Sequence, residues 1–281
     1  MRRSPRLFIA AGILIVSLIG YYMKREVNPV TGETQHISLT ADQEVALGLQ
    51  SAPEMAAQFG GEDPDPAAQA MVQRVGAQVV RNSAAHGAPY EFHFTLLRDP
   101  ETVNAFALPG GPVFITRGLF KRLENEAQLA GVLGHEAGHV VGRHAAEHIA
   151  KNQLAQGVVG AVAVGASDDQ GHGRSAAMLA AFAAQMAQLK YGRNDELEAD
   201  RLGVRFMSQA GYDPRAMLRV MQILEQSSKG GRQPEFMSTH PDPGNRQVMI
   251  KAEIEKLYPQ GVPSNLTLNG GKLKGGATPE Q

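Results

Sequence analysis

The chain has 281 residues, 27 Lys+Arg against 28 Asp+Glu, a net charge of -1, 31 glycines and no cysteine or tryptophan. Without cysteine there is no disulfide framework, no thiolate-held metal or iron–sulfur cluster, no thiol nucleophile and no residue to take a bacterial lipid anchor. The balanced charge leaves no basic footprint for nucleic acid, and 43% hydrophobic residues is ordinary for a globular chain with a core.

Arg2, Arg3 and Arg6 precede an apolar run over residues 7–23, closed by Lys24 and Arg25. About 17 residues is the short end of what spans a bilayer as a helix. Tyr21 and Tyr22 stand where interfacial aromatics stand, and the charge bias keeps the N-terminus cytoplasmic and exports the rest to the periplasmic side. The rival reading is a cleaved signal peptide and a secreted periplasmic protein, but no A-x-A site follows the run. Residues 1–25 therefore read as a signal-anchor and transmembrane segment, and 26–39, with turn signals at Asn28-Pro29 and Thr31-Gly32, as a tether. Residues 40–258 read as one domain and 259–281 as a flexible tail.

Thr40 three residues before Gln43 predicts a capped helix to about residue 59, and a second helix follows over 67–83. Residues 90–97 alternate and are rich in aromatics; 103–107 and 113–116 follow as further strands around Pro109-Gly110-Gly111-Pro112. A small antiparallel sheet is expected, with Val113, Phe114, Ile115 and Thr116 as an edge that holds an extended peptide by main-chain hydrogen bonds, a reading compatible with the alternative of a simple core hairpin. A long helical region comes next, and residues 154–166 suit a packed helix of small apolar residues. A loop over 167–173 precedes helices over 175–190, 194–209, 214–228 and 244–257. The whole is α+β and mostly helical.

His135-Glu136-Ala137-Gly138-His139 places two imidazoles four residues apart, on one helix face, where both reach one Zn²⁺. Glu136, rotated by about 100°, reaches a water on the metal instead. Gly134 and Gly138 weaken the helix, a cost that makes sense if another backbone comes close. With no cysteine, a third ligand must be His, Asp or Glu. Glu196 and Asp200, i and i+4 in Asn194-Asp195-Glu196-Leu197-Glu198-Ala199-Asp200, offer one carboxylate for the metal and one for a ligand imidazole. Glu198 points away from both. His144 and His148, by helical rotation, face away from the motif and read as charge partners of the helix C-terminus.

Asn104-Ala105-Phe106-Ala107-Leu108-Pro109-Gly110-Gly111, the strand to Leu119, His135-Glu136-x-x-His139, Glu196-x-Glu198-Ala199-Asp200 and His240-Pro241 with Arg246 together resemble the M48 metallopeptidases, gluzincins with a zincin-like domain. The likeness covers about residues 40–258 and is strongest to the single-anchor bacterial and Oma1-like branch. It implies one zinc per chain on His135, His139 and Glu196, Glu136 as general base and acid, and Asp200 beside the ligands. It implies protein substrates and envelope quality control. His240 is open between oxyanion stabiliser, resting-state fourth ligand and plain loop residue, and Arg246 between substrate clamp and structural arginine. The alternative reading is a zinc-bound, chaperone-like envelope factor whose cleavage is rare or gated.

Overall fold

The computed structural model describes residues 5–166, 191–228, 234–241 and 244–267. The predicted loop over 167–173 with His172, and the predicted helix over 175–190, lie outside these residues. Helix α1 (Pro5–Tyr22) leads into a hairpin of β1 (Arg25–Val27) and β2 (Thr34–His36). The α1 side chains Phe8, Ile9, Ile15 and Val16 are exposed. Among the described residues no helix is long and apolar enough to cross a membrane.

The segment expected as a tether is folded. Asn28 turns the chain by accepting from the amides of Val30 and Thr31, and Gly32 takes the positive φ that closes the hairpin. Asn28 and Gln35 are buried. The expected tail is also pinned in part: Thr267 bonds Gly211 O and accepts from the Asp213 amide.

Helix α2 (Ala41–Gln58) starts on the Thr40–Gln43 capping box that the spacing predicts. Helix α3 (Pro66–Arg81) is capped by Asp65, with Pro66 in the first turn. Strands β3 (His93–Leu97), β4 (Ala105–Ala107) and β5 (Pro112–Thr116) form a sheet in the order β3-β5-β4. The sheet is mixed, not antiparallel throughout: β4 and β5 are a hairpin, but β3 joins the other side of β5 in parallel. Gly110 and Gly111 make the hairpin turn at positive φ; a Cβ on Gly111 would collide with Glu91 O.

This order overturns the edge reading of Val113–Thr116. Strand β5 is paired on both sides and wholly buried, so it has no main-chain edge to offer a peptide. Among the described residues β4 pairs with β5 alone.

The long helical region divides into α4 (Arg117–Phe120), α5 (Glu126–Val141) and α6 (His144–Ala166), which packs along α1. Helices α7 (Arg193–Gln209), α8 (Ala216–Ser228), α9 (Glu235–Thr239) and α10 (Arg246–Leu257) follow. Helix α5 is the centre of the core. All sixteen of its residues are buried, between α3, α7, α8 and the sheet. Glycine sets its distance from α7. A Cβ on Gly138 would lie 3.0 Å from Ala199 O, and one on Gly203 would lie 3.0 Å from the His135 amide nitrogen. The close backbone approach expected at Gly134 and Gly138 is therefore the α5–α7 crossing.

Candidate metal centre

Helix α5 presents His135 and His139, one turn apart, to the N-terminal half of α7, which carries Glu196 and Asp200. The chain after α9 adds His240. His135, His139, Glu196 and His240 each offer an atom within 4.8 Å of the others, and all four are buried. The spacing has metal-site dimensions. His135 Nε2 is 3.1 Å from His139 Nε2 and 3.6 Å from Glu196 Oε2. His139 Nε2 is 3.5 Å from Glu196 Oε1, and His240 Nδ1 is 3.0 Å from Glu196 Oε1 and 3.4 Å from His135 Nε2. Ligands about 2.0–2.1 Å from one ion in tetrahedral array stand about 3.3 Å apart, which these edges bracket.

Glu136 is fully buried, and neither carboxylate oxygen has a hydrogen-bond partner. Its nearest ionic neighbour is His240 Nε2, 3.8 Å from Oε1 and itself unpartnered. Burial pushes the Glu136 pKa up, more than His240 and His135 pull it down. Orphaned buried acceptors are costly, and a metal with bound water would satisfy them. The residues present thus fit a divalent ion with nitrogen-rich ligation.

Behind the ligands lies an ion-pair frame. Arg246 is 1% exposed; its Nε and Nη2 each donate to Asp200 at 2.7 Å, and Nη1 is 3.0 Å from Glu196 Oε2. Asp200 Oδ1 is 3.0 Å from His135 Nδ1. Burial would raise the Asp200 pKa, but Arg246 and His135 hold it at about 2. Burial likewise opposes ionisation of Glu196, yet His240, His135 and Arg246 bring its pKa below the usual value. His139 is kept neutral, first by burial and then by His135 and His144. His240 goes the other way: Glu196 and Glu136 outweigh burial and raise its pKa. Arg246 therefore braces Asp200 and Glu196 from within the core, a contact that fits the structural one of the alternatives open for it.

The outward direction expected for His144 is wrong. Helix α5 stops at Val141, so helical rotation does not extend to residue 144. His144 Nδ1 lies 2.8 Å from His139 Nδ1, and its Nε2 lies 3.4 Å from Glu198 Oε2. His148 pairs with Asp195 at 2.8 Å. Sequence reasoning also passed over Tyr191, buried and stacked on the His139 ring at 3.9 Å, and Phe236, stacked on His240 at 4.4 Å. Neither carries a pattern that would single it out.

Two imidazoles from one helical turn, a glutamate from a crossing helix and an unpaired buried carboxylate beside them define a gluzincin-type metallopeptidase centre. The sequence profile of Peptidase family M48 matches residues 66–254, and the chain belongs to that family. Among curated relatives it is 32% identical over 256 residues to the Beta-barrel assembly-enhancing protease of Yersinia pestis, covering 88% of this chain and 51% of that protein. The protein of the same name in Escherichia coli strain K12 is 29% identical over 246 residues, 84% of this chain and 49% of the relative. The Mitochondrial metalloendopeptidase OMA1 of Schizosaccharomyces pombe is 31% identical over 251 residues, 85% of this chain and 72% of that protein. The chain thus spans about half the length of the two bacterial relatives.

Proposed function

We propose that the protein is a zinc-dependent metalloendopeptidase acting on protein substrates in envelope quality control. The observation that carries this reading is the pairing of a buried His135–His139–Glu196–His240 cluster with an unpartnered, buried Glu136. His135, His139 and Glu196 would hold the ion, one per chain, and His240 would close the fourth position in the resting site. Nitrogen-rich, cysteine-free ligation of this size suits zinc. Bound there, the metal would polarise a scissile carbonyl and acidify a water. Glu136, with both oxygens free of partners, would take the proton and return it to the leaving amine. His240 would swing out as substrate enters, and its Nε2 would then be free to donate to the developing oxyanion. The peptide would add to β4, whose outer side is unpaired among the described residues.

Residues 7–23 would anchor the protein, with the peptidase domain on the extracytoplasmic side. The apolar run between basic flanks and the exposed apolar side chains of α1 support this. The relatives named for barrel assembly and for mitochondria support an envelope role.

The full burial of every ligand favours gated cleavage as a second reading, in which binding to client proteins is the main activity. One comparison tests both. Wild-type protein should hold zinc and cleave casein, and Glu136→Gln should hold zinc and not cleave. Full proteolysis by Glu136→Gln sinks the mechanism; rescue of a deletion strain by that variant favours the gated binder.

A further inference from the structure

We infer that His144 is a positioning residue of the metal centre: it fixes the proton of His139 on Nδ1, and the N-terminal hairpin holds it there. The inference rests on the zinc reading of the site.

Ligation by His139 Nε2, the atom that faces His135 and Glu196, requires that nitrogen to be bare. The ring proton then sits on Nδ1, 2.8 Å from His144 Nδ1. Two ring nitrogens at that distance share one proton, so His144 accepts on Nδ1 and carries its own proton on Nε2. That nitrogen faces Glu198 Oε2 at 3.4 Å; the other Glu198 oxygen, Oε1, is buried and unpartnered. The direction is complete: Glu198 orients His144, which orients His139. Asp200 Oδ1 stands in the corresponding place beside His135, 3.0 Å from its Nδ1. Such partners fix the tautomer and basicity of a ligand imidazole.

The backbone that brings His144 back over α5 is strained. Arg143 has φ 54, the one non-glycine positive φ among the described residues, and costs about 1 kcal/mol or more. Gly142 leaves room, since a Cβ there would run into His144 Nε2. What holds the corner is the N-terminal segment. Asn28 Nδ2 donates to Val141 O at 2.7 Å, and the Gln35 amide donates to Gly142 O. These are carbonyls that a helix end leaves unsatisfied. The Arg143 side chain, in turn, bonds Glu44 at 2.9 Å, Glu26, and Leu39 O at 3.0 Å. All these holding residues precede the family match at 66–254. The hairpin is thus part of the metal centre's support.

The test uses the full chain in detergent. His144→Leu removes the acceptor; His144→Asn keeps an amide oxygen near the Nδ1 position. Zinc affinity is read by competition with a chromophoric chelator. The His139 tautomer in the metal-free protein is read from imidazole nitrogen shifts. We expect His144→Leu to weaken zinc by about 10–100-fold, His144→Asn to recover most of the loss, and Asn28→Ala with Gln35→Ala to weaken zinc in the same direction. Metal-free wild type should carry the His139 proton on Nδ1, and His144→Leu should mix the tautomers. Unchanged zinc affinity in His144→Leu overturns the inference, as does an Asn variant as weak as the Leu variant or a wild-type His139 protonated on Nε2. If His144→Leu does not fold, the Asn variant and the wild-type tautomer still decide. A wild type that binds no zinc defeats the zinc reading instead, and leaves the tautomer result standing.

Discussion

Arg246→Met is the sharpest probe of the frame behind the ligands. Methionine keeps most of the side-chain length and removes the charge. In the wild type the guanidinium gives Asp200 two hydrogen bonds at 2.7 Å and lies 3.0 Å from Glu196. Breaking a buried pair by removing one partner costs about 3–5 kcal/mol, because the surviving charge stays buried. Part of that cost depends on pH. The folded pKa of Asp200 is depressed to about 2, against about 3.9 in an unfolded chain. A depressed carboxylate contributes stability that is present above the unfolded pKa and is lost as pH falls through the folded one. The difference amounts to about 2–3 kcal/mol at neutral pH, with roughly half gone by pH 3. Urea unfolding of the metal-free protein, wild type beside Arg246→Met, should give a gap of about 3–5 kcal/mol at pH 7 that narrows on acidification from pH 4 to 3. A gap under about 1 kcal/mol, or one that does not narrow, would refute the pairing argument.

Gly203→Ala pits two effects against each other. Alanine gains about 1 kcal/mol of helix propensity, but its Cβ would stand 3.0 Å from the His135 nitrogen and 3.1 Å from its Cα. Overpacking costs about 1–3 kcal/mol, so thermal melts should show net destabilisation, and zinc should bind more weakly because α7 carries Glu196; a more stable variant with native zinc affinity would contradict the close crossing. Glu136→Gln removes a buried, unpaired carboxylate, so its metal-free form should melt above wild type even as proteolysis vanishes. If residues 7–23 anchor the chain, alkaline carbonate should leave it in the membrane fraction, and Leu14→Arg with Val16→Arg should release it; release of the wild type would remove the anchor.

Much of the site could be read along the chain because its chemistry is local. The two histidines and Glu136 occupy one turn of α5, and Glu196 and Asp200 one turn of α7. Helical period alone puts each pair on one face. The Thr40–Gln43 cap and the tight crossing at Gly138 were readable for the same reason. Period failed where it was carried past a break: His144 follows a left-handed residue, Arg143, that no Gly or Asn marks, although Gly142 sits beside it. Strand pairing failed differently. Nothing in residues 113–116 tells whether one neighbour or two will join them, because their β3 partners lie nineteen residues upstream, as in Phe94 with Val113 and Leu97 with Thr116, and pair in parallel. The hairpin over 25–36 is polar in composition, and its worth lies in Asn28 and Gln35 meeting carbonyls more than a hundred residues away.

Helix α5 has no solvent face. Every position from Glu126 to Val141 is packed in the core, so no side of the helix can be varied without touching it. Backbone amides of this helix should be among the last to exchange with solvent, opening only with the whole domain. Evolution or design that seeks a new cleavage preference in this framework has little freedom along α5. The neighbouring β4 is no freer, since Ala105 and Ala107 are buried in the same core.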